Sequence, residues 1–102
     1  MKDKASVSHD EMIVKRIRRD PKFAVEYLKA AMEDTDEPQV LLIALRRIAE
    51  ARGGIAKVAK AAGIERKSLY RALSPRGNPR FSTLAAVTKA VGLKLTVEAA
   101  QG

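Results

Sequence analysis

The chain contains no cysteine, which excludes disulfides and thiolate metal sites and is consistent with the cytoplasm. It has a single histidine, His9, close to the N-terminus. No His/Cys/carboxylate cluster and no nucleophile–base pairing stands out around it, so His9 reads as a solvated residue. The expectation is a protein that is not an enzyme and uses no metal or cofactor. No apolar run approaches the roughly 20 residues that a membrane span needs, and the N-terminus lacks the apolar core of a signal peptide. Acidic residues are scarce in one half only. Residues 51–102 hold Glu65 and Glu98 against ten Lys and Arg, whereas in residues 1–50 ten basic and ten acidic side chains cancel. The whole net charge of +8 therefore lies in the second half.

With 102 residues, 46% hydrophobic and 31% charged, the chain has the composition of one small soluble domain of modest stability. The stretch IAKVAKAAGIERKSLYRALS, Ile55 to Ser74, organises it. Val58, Ala59 and Ala62 share one helical face. Gly63 supplies a residue free to take positive φ where a helix must end sharply. A second helix starts at Glu65 or Arg66 and turns Leu69, Ala72 and Leu73 inward. Ala59, four positions before Gly63, must be small for the two helices to approach. Arg66, Lys67, Ser68, Tyr70 and Arg71 are left on a basic, hydrogen-bonding outer face, which suits the DNA major groove. The reading is a helix-turn-helix. An αα-hairpin with solvated Lys and Arg is the blander alternative. It does not explain why the pair coincides with the basic block from Arg52 to Arg80, where eight basic residues face one acidic one.

Residues 1–7 read as flexible, and residues 8–51 as N-terminal helices. Ser8 with Glu11 forms a capping-box pattern that can open a short helix holding Met12, Ile13 and Ile17. Asp20-Pro21 starts the next helix, with an apolar stripe of Phe23, Ala24, Tyr27, Leu28, Ala31 and Met32. The acidic run Glu33 to Glu37 ends it and caps a third helix, about 37–51, that is apolar on several sides and so central to the core or to an interface. Arg52-Gly53-Gly54 stops that helix. Gly54 can serve as N-cap of the first helix of the pair and leave backbone N–H groups open to a phosphate. After Ser74, a Pro- and Gly-rich loop places Arg76 and Arg80 within reach of sugar-phosphate. A last helix, about 81–91, directs Phe81, Leu84, Ala85, Thr88 and Val91 inward and stops at Gly92. Leu93 to Val97 alternates apolar and polar residues and reads as one short strand. Alone in its chain, that strand needs a partner edge, which the same strand of a second subunit would supply.

These residues resemble a family. The run ARGGIAKVAKAAGIERKSLYRALSPRGNPRFSTLAAVTKAVGLKLTVEAA is similar to the addiction-module antidote proteins, HigA-like antitoxins with a Cro/repressor-type helix-turn-helix. The likeness extends back through LLIALRRIAEARGG and DPKFAVEYLKAAMEDTD, so it covers about residues 19–100. The Gly-Gly pair, SLYRALS, the GNP loop and GLKLTVE carry it jointly. Glu65 departs from the pattern, standing where such proteins usually carry a Ser or Thr helix cap, and Arg80 occupies another cap-like position. The resemblance implies an antitoxin that neutralises a RelE/HigB-like ribonuclease toxin and represses its own operon.

The expected protein is thus an all-α, five-helix domain with the helix-turn-helix at 55–74 and a C-terminal helix and strand at 81–98. It binds double-stranded operator DNA as a homodimer. The predicted DNA contacts are Arg66, Lys67, Ser68, Tyr70, Arg71, Gly54, Arg76 and Arg80. The alternative is a phage-type repressor with no toxin partner.

Overall fold

The computed structural model describes residues 8–33 and 36–100. The expectation for residues 1–7, and the part of the acidic run at Asp34 and Thr35, lie outside them. Among the described residues there are six helices: α1 (His9–Arg19), α2 (Pro21–Glu33), α3 (Pro38–Ala51), α4 (Ile55–Ala62), α5 (Arg66–Ala72) and α6 (Phe81–Ala90). The expected count was five. The segment opened by Ser8 is a full eleven-residue helix rather than a short preface. Among the described residues no helix is long and apolar enough to cross a membrane.

Local chemistry sets the helix ends. The Ser8 hydroxyl accepts from the Glu11 N–H at 3.1 Å. Asp10 and Glu11 occupy the first turn of α1, and Arg16, Arg18 and Arg19 the last, an order that complements the helix dipole. Asp20 then closes α1 and opens α2. Its Oδ1 accepts from the N–H groups of Lys22 at 3.1 Å and Phe23 at 3.3 Å, with Pro21 at the first helical position. Pro38 plays the same part for α3.

Helix α3 buries Leu42, Ala44, Leu45, Ile48, Ala49 and Ala51, too broad a face for one neighbour to cover. It packs against α1 and α2 on one side and α4 on another. Ile17 of α1 and Ala24 of α2 meet it fully buried, while Val58 and Ala59 of α4 continue the core towards Leu69, Leu73 and Val87. A polar chain ties the first three helices together over this core. The Arg47 guanidinium donates to the Tyr27 hydroxyl at 2.7 Å and pairs with Asp10. Tyr27 stacks on Phe23 with centroids 5.7 Å apart, and Arg16 lies 4.1 Å over the Phe23 ring. Burial pulls the Arg47 pKa down. The hydrogen bonds and charges of Tyr27 and Asp10 outweigh it, so the pKa is held above its ordinary value.

Two helices end in the same way. Gly63 takes φ +71°, donates to the Lys60 carbonyl at 3.2 Å, and lets the Ile64 N–H reach back to Ala59 O at 2.9 Å. Gly92, at φ +83°, donates to Lys89 O, and Leu93 N–H reaches Thr88 O, both at 3.0 Å. These are Schellman ends, in which the left-handed residue satisfies carbonyls the helix would otherwise leave unpaired.

Three expectations are corrected. No strand forms among the described residues: residues 93–100 carry no regular secondary structure. The alternation of Leu93 to Thr96 is real, with Leu93 and Leu95 half-buried and Lys94 and Thr96 exposed. It reflects one segment lying on helices, with no second strand among the described residues to pair with. Val97, placed inward by that pattern, is 98% exposed. Phe81, expected inside, is 75% exposed. As the first residue of α6 its side chain tilts towards the helix N-terminus and projects past the packed stretch. Val87, overlooked in the sequence, takes the buried place alongside Thr88 and Val91. Met32, at the far end of the α2 stripe, is also exposed.

Glycine is required at position 77 by close approach: a Cβ there would lie 2.0 Å from the Ala72 carbonyl oxygen. Gly77→Ala is therefore expected to destabilise the fold more than Gly63→Ala, which costs about 1–2 kcal/mol for left-handed backbone with a Cβ. Urea unfolding of the two variants checks this, and an equal or smaller loss at Gly77 would show that the loop is free to swing off α5.

Candidate functional site

The site grows from the turn between α4 and α5. Because Gly63 reverses the chain within three residues and Ala59 is 2% exposed at the crossing, α5 lies close across α4. Leu69 and Leu73 are buried beneath it at 0% and 1% exposure. Anchoring that inner face fixes the outer one. Arg66, Lys67, Ser68, Tyr70 and Arg71 are all exposed, as the sequence led one to expect.

Two shallow, open hollows meet on this face. Arg66, Lys67, Tyr70 and Arg71 border one. Ser68, Arg71 and Arg76, with Gly77, Asn78 and Pro79 of the following loop, border the other. Arg71 is common to both, so the structure brings six of the eight predicted residues into one continuous basic surface. The loop is held there by its own bonds: the Ser74 hydroxyl donates to Arg71 O at 2.7 Å, and Gly77 N–H to Ser74 O at 2.8 Å. Arg80 is exposed at the N-cap of α6 without a side-chain cap bond, and borders neither hollow.

Gly54 has φ +100° and nothing within 4 Å of where a Cβ would be, so the approach to α4 is open. Its own N–H, however, is spent on Ala49 O at 2.9 Å. The groups with no acceptor inside the helix are the first-turn N–H groups from Ile55 to Lys57.

Two side chains refine the chemistry of α5. Glu65 is the N-cap but makes no side-chain cap bond. Its carboxylate instead accepts from the Ser68 hydroxyl at 3.4 Å, which places a negative charge at the start of an otherwise basic helix. Tyr70 is engaged from outside the pair. Arg46 of α3 lies over its ring at 4.5 Å and donates to its hydroxyl at 2.7 Å. Sequence reasoning missed Arg46, which lies twenty-four positions away in a helix notable only for being apolar. Spacing carries no signal for a contact of that kind.

A different surface is apolar. Leu28, Met32, Leu41, Leu45, Phe81, Leu84, Thr88 and Leu95 line a hollow of about 150 Å³ between α2, α3, α6 and the C-terminal segment. A groove of about 330 Å³ adjoins it, where Val25, Lys29 and Glu33 face Leu93 to Thr96. With Phe81 75% and Met32 46% exposed at its rim, this is the face suited to a protein partner.

A family model described as "probable addiction module antidote protein" matches residues 10–99. The chain is 42% identical over 72 residues to an uncharacterized protein of Haemophilus influenzae, a match covering 71% of this chain and 72% of that relative. No solved structure is significantly similar to it.

Because Glu65 leaves the first turn of α5 without a side-chain cap, Glu65→Ser is expected to stabilise the fold by about 0.5–1 kcal/mol. Thermal unfolding reads this directly, and a lower melting temperature would mean that the Glu65–Ser68 contact outweighs a cap.

Proposed function

The chain belongs to the addiction module antidote family, and from that premise we propose that it is an antitoxin which also binds the DNA of its own operon and represses it. In this reading the α4–α5 pair is a helix-turn-helix of the Cro/repressor type. The observation that carries it is the outer face of α5, where Arg66, Lys67, Tyr70 and Arg71 border one open hollow above a fully buried Leu69. A short helix, rigid on its inner side and positive on its outer side, matches what the major groove accepts. Arg66, Lys67, Tyr70 and Arg71 are assigned to base edges, and Ser68 to a base or a phosphate. Arg76, Arg80 and the α4 N-terminus beside Gly54 are assigned to the sugar-phosphate backbone.

One seven-residue helix reads few base pairs, so a homodimer on a two-fold operator is proposed as the binding unit. The antidote family implies a toxin partner, and a RelE/HigB-like ribonuclease is the partner proposed. Residues 1–50 have no net charge, and the apolar surface around Met32, Phe81 and Leu95 lies on other elements than the basic face. Protein partners are therefore assigned to that side. The protein acts by binding rather than by catalysis, and in the cytoplasm, where operon and toxin are.

The assignment separates base reading from anchoring. Arg71→Ala should cost about 1–3 kcal/mol on operator DNA and less on random DNA. Arg76→Ala should weaken both about equally and reduce the salt slope by about one. Titration of both DNAs at several salt concentrations decides, and equal losses for Arg71→Ala would make it a phosphate contact. Charge swaps at Glu33 and Glu37 should leave operator affinity within about 0.5 kcal/mol. A large change there, with toxin capture intact, would overturn the division between the two faces.

A further inference from the structure

Tyr70 is the one aromatic side chain among the five outward residues of α5, and it is 53% exposed. An exposed tyrosine ordinarily samples several rotamers, and ordering it on a ligand costs binding free energy. Here the ordering is already done. The Arg46 guanidinium carbon lies 4.5 Å from the ring centroid, and its Nη2 donates to the phenol oxygen at 2.7 Å. Arg46 is in turn held by Glu50, one helical turn on, at 3.7 Å. The chain Glu50–Arg46–Tyr70 thus reaches from α3 to the middle of α5.

This geometry also biases the hydroxyl towards donating. One lone pair of the phenol oxygen is taken by the Arg46 N–H, so what the group offers outward is its own O–H. A hydroxyl that accepts from a cation is a stronger donor for it. The guanidinium beside the oxygen disfavours a second donor approaching. Arg46 turns one edge to Tyr70 and another to Glu50.

Resting on the DNA-binding reading above, we propose that Arg46 is a positioning residue that locks Tyr70 as a hydrogen-bond donor, so that Tyr70 selects a base presenting an acceptor in the major groove. Guanine and adenine N7, guanine O6 and thymine O4 qualify. Cytosine presents only an amino donor there and is rejected. The specificity of α5 is then set partly from α3, a helix in the half of the chain that carries no net charge.

The test uses full-length protein titrated against its own promoter fragment and a scrambled duplex of the same composition. Four proteins are compared: wild type, Tyr70→Phe, Arg46→Met and the double variant. Circular dichroism confirms the fold of each. Tyr70→Phe is expected to lose roughly tenfold on the promoter, the size of one hydrogen bond, and almost nothing on scrambled DNA. Arg46→Met should lose a similar factor on the promoter only, with the salt slope unchanged. The double variant should be no weaker than the worse single, because Arg46 acts through Tyr70. Arg46→Lys, which keeps the charge and a donor, should recover part of the loss. Equal losses on both DNAs with a flatter salt slope for Arg46→Met would make it a phosphate contact and overturn the inference. So would additive losses in the double variant, or an Arg46→Met protein that binds like wild type. A wild-type protein with no preference for its promoter would instead remove the DNA-binding reading itself, and this inference with it.

Discussion

Helix α3 can bury its apolar surface only if it is surrounded, and the rest of the chain is arranged to do that. Leu42, Leu45, Ile48 and Ala49 all lie at or below 5% exposure, so burying them takes α1 and α2 on one side and α4 on another. At about 25 cal/mol per Å² of apolar surface, this burial is the largest favourable contribution a small domain of this kind can draw on. Two adjacent arginines on α3 then reach its neighbours. Arg47 reaches Tyr27 of α2 and Asp10 of α1, while Arg46 reaches Tyr70 of α5. The helix that anchors the core also aims a side chain on the exposed basic face.

In the proposed reading, that arrangement accounts for the uneven charge of the chain. An antidote has to hold a toxin, and in the reading proposed here it holds an operator as well. Two partners are best served by surfaces that do not compete. The face of α5 and the loop after it are basic and hydrogen-bonding, whereas the surface around Met32, Phe81 and Leu95 is apolar. The Gly63 turn keeps the first compact: with α5 pinned through Leu69 and Leu73, the points from which its five outward side chains leave the backbone are set. Preorganisation of that kind lowers the ordering cost of binding.

Much of this was legible in the residues. The α4–α5 pair follows from short-range chemistry: a small residue at Ala59, left-handed Gly63, and apolar spacing at Leu69 and Leu73. So do the starts at Ser8 and Asp20-Pro21, because side-chain caps act within a single turn, whereas α3 starts at Pro38 without the expected cap bond from the acidic run. What escaped depends on tertiary context. Phe81 is on the expected stripe of α6 but lies beyond the end of what that stripe packs against. The alternation of Leu93 to Val97 is equally compatible with a strand and with an extended segment on a helical surface, and pattern alone does not separate them. The Arg46–Tyr70 contact depends on the crossing of α3 and α5, which no spacing rule encodes. The comparison with known families spans nearly the whole chain and establishes the antidote family, as the quoted motifs implied. It does not reach individual side chains.

The central claim is that the outer face of α5 is the nucleic-acid interface and that α1 and α2 are not. Amide NMR shifts of the isotope-labelled protein, followed as its own promoter duplex is added, test this most directly. The perturbed amides are expected to cluster between Gly54 and Arg80, with a smaller response at Arg46 transmitted through Tyr70, while α1 and α2 stay still. Perturbations concentrated in α1 and α2 with α5 unmoved, or no perturbation at all at saturating DNA, would contradict it.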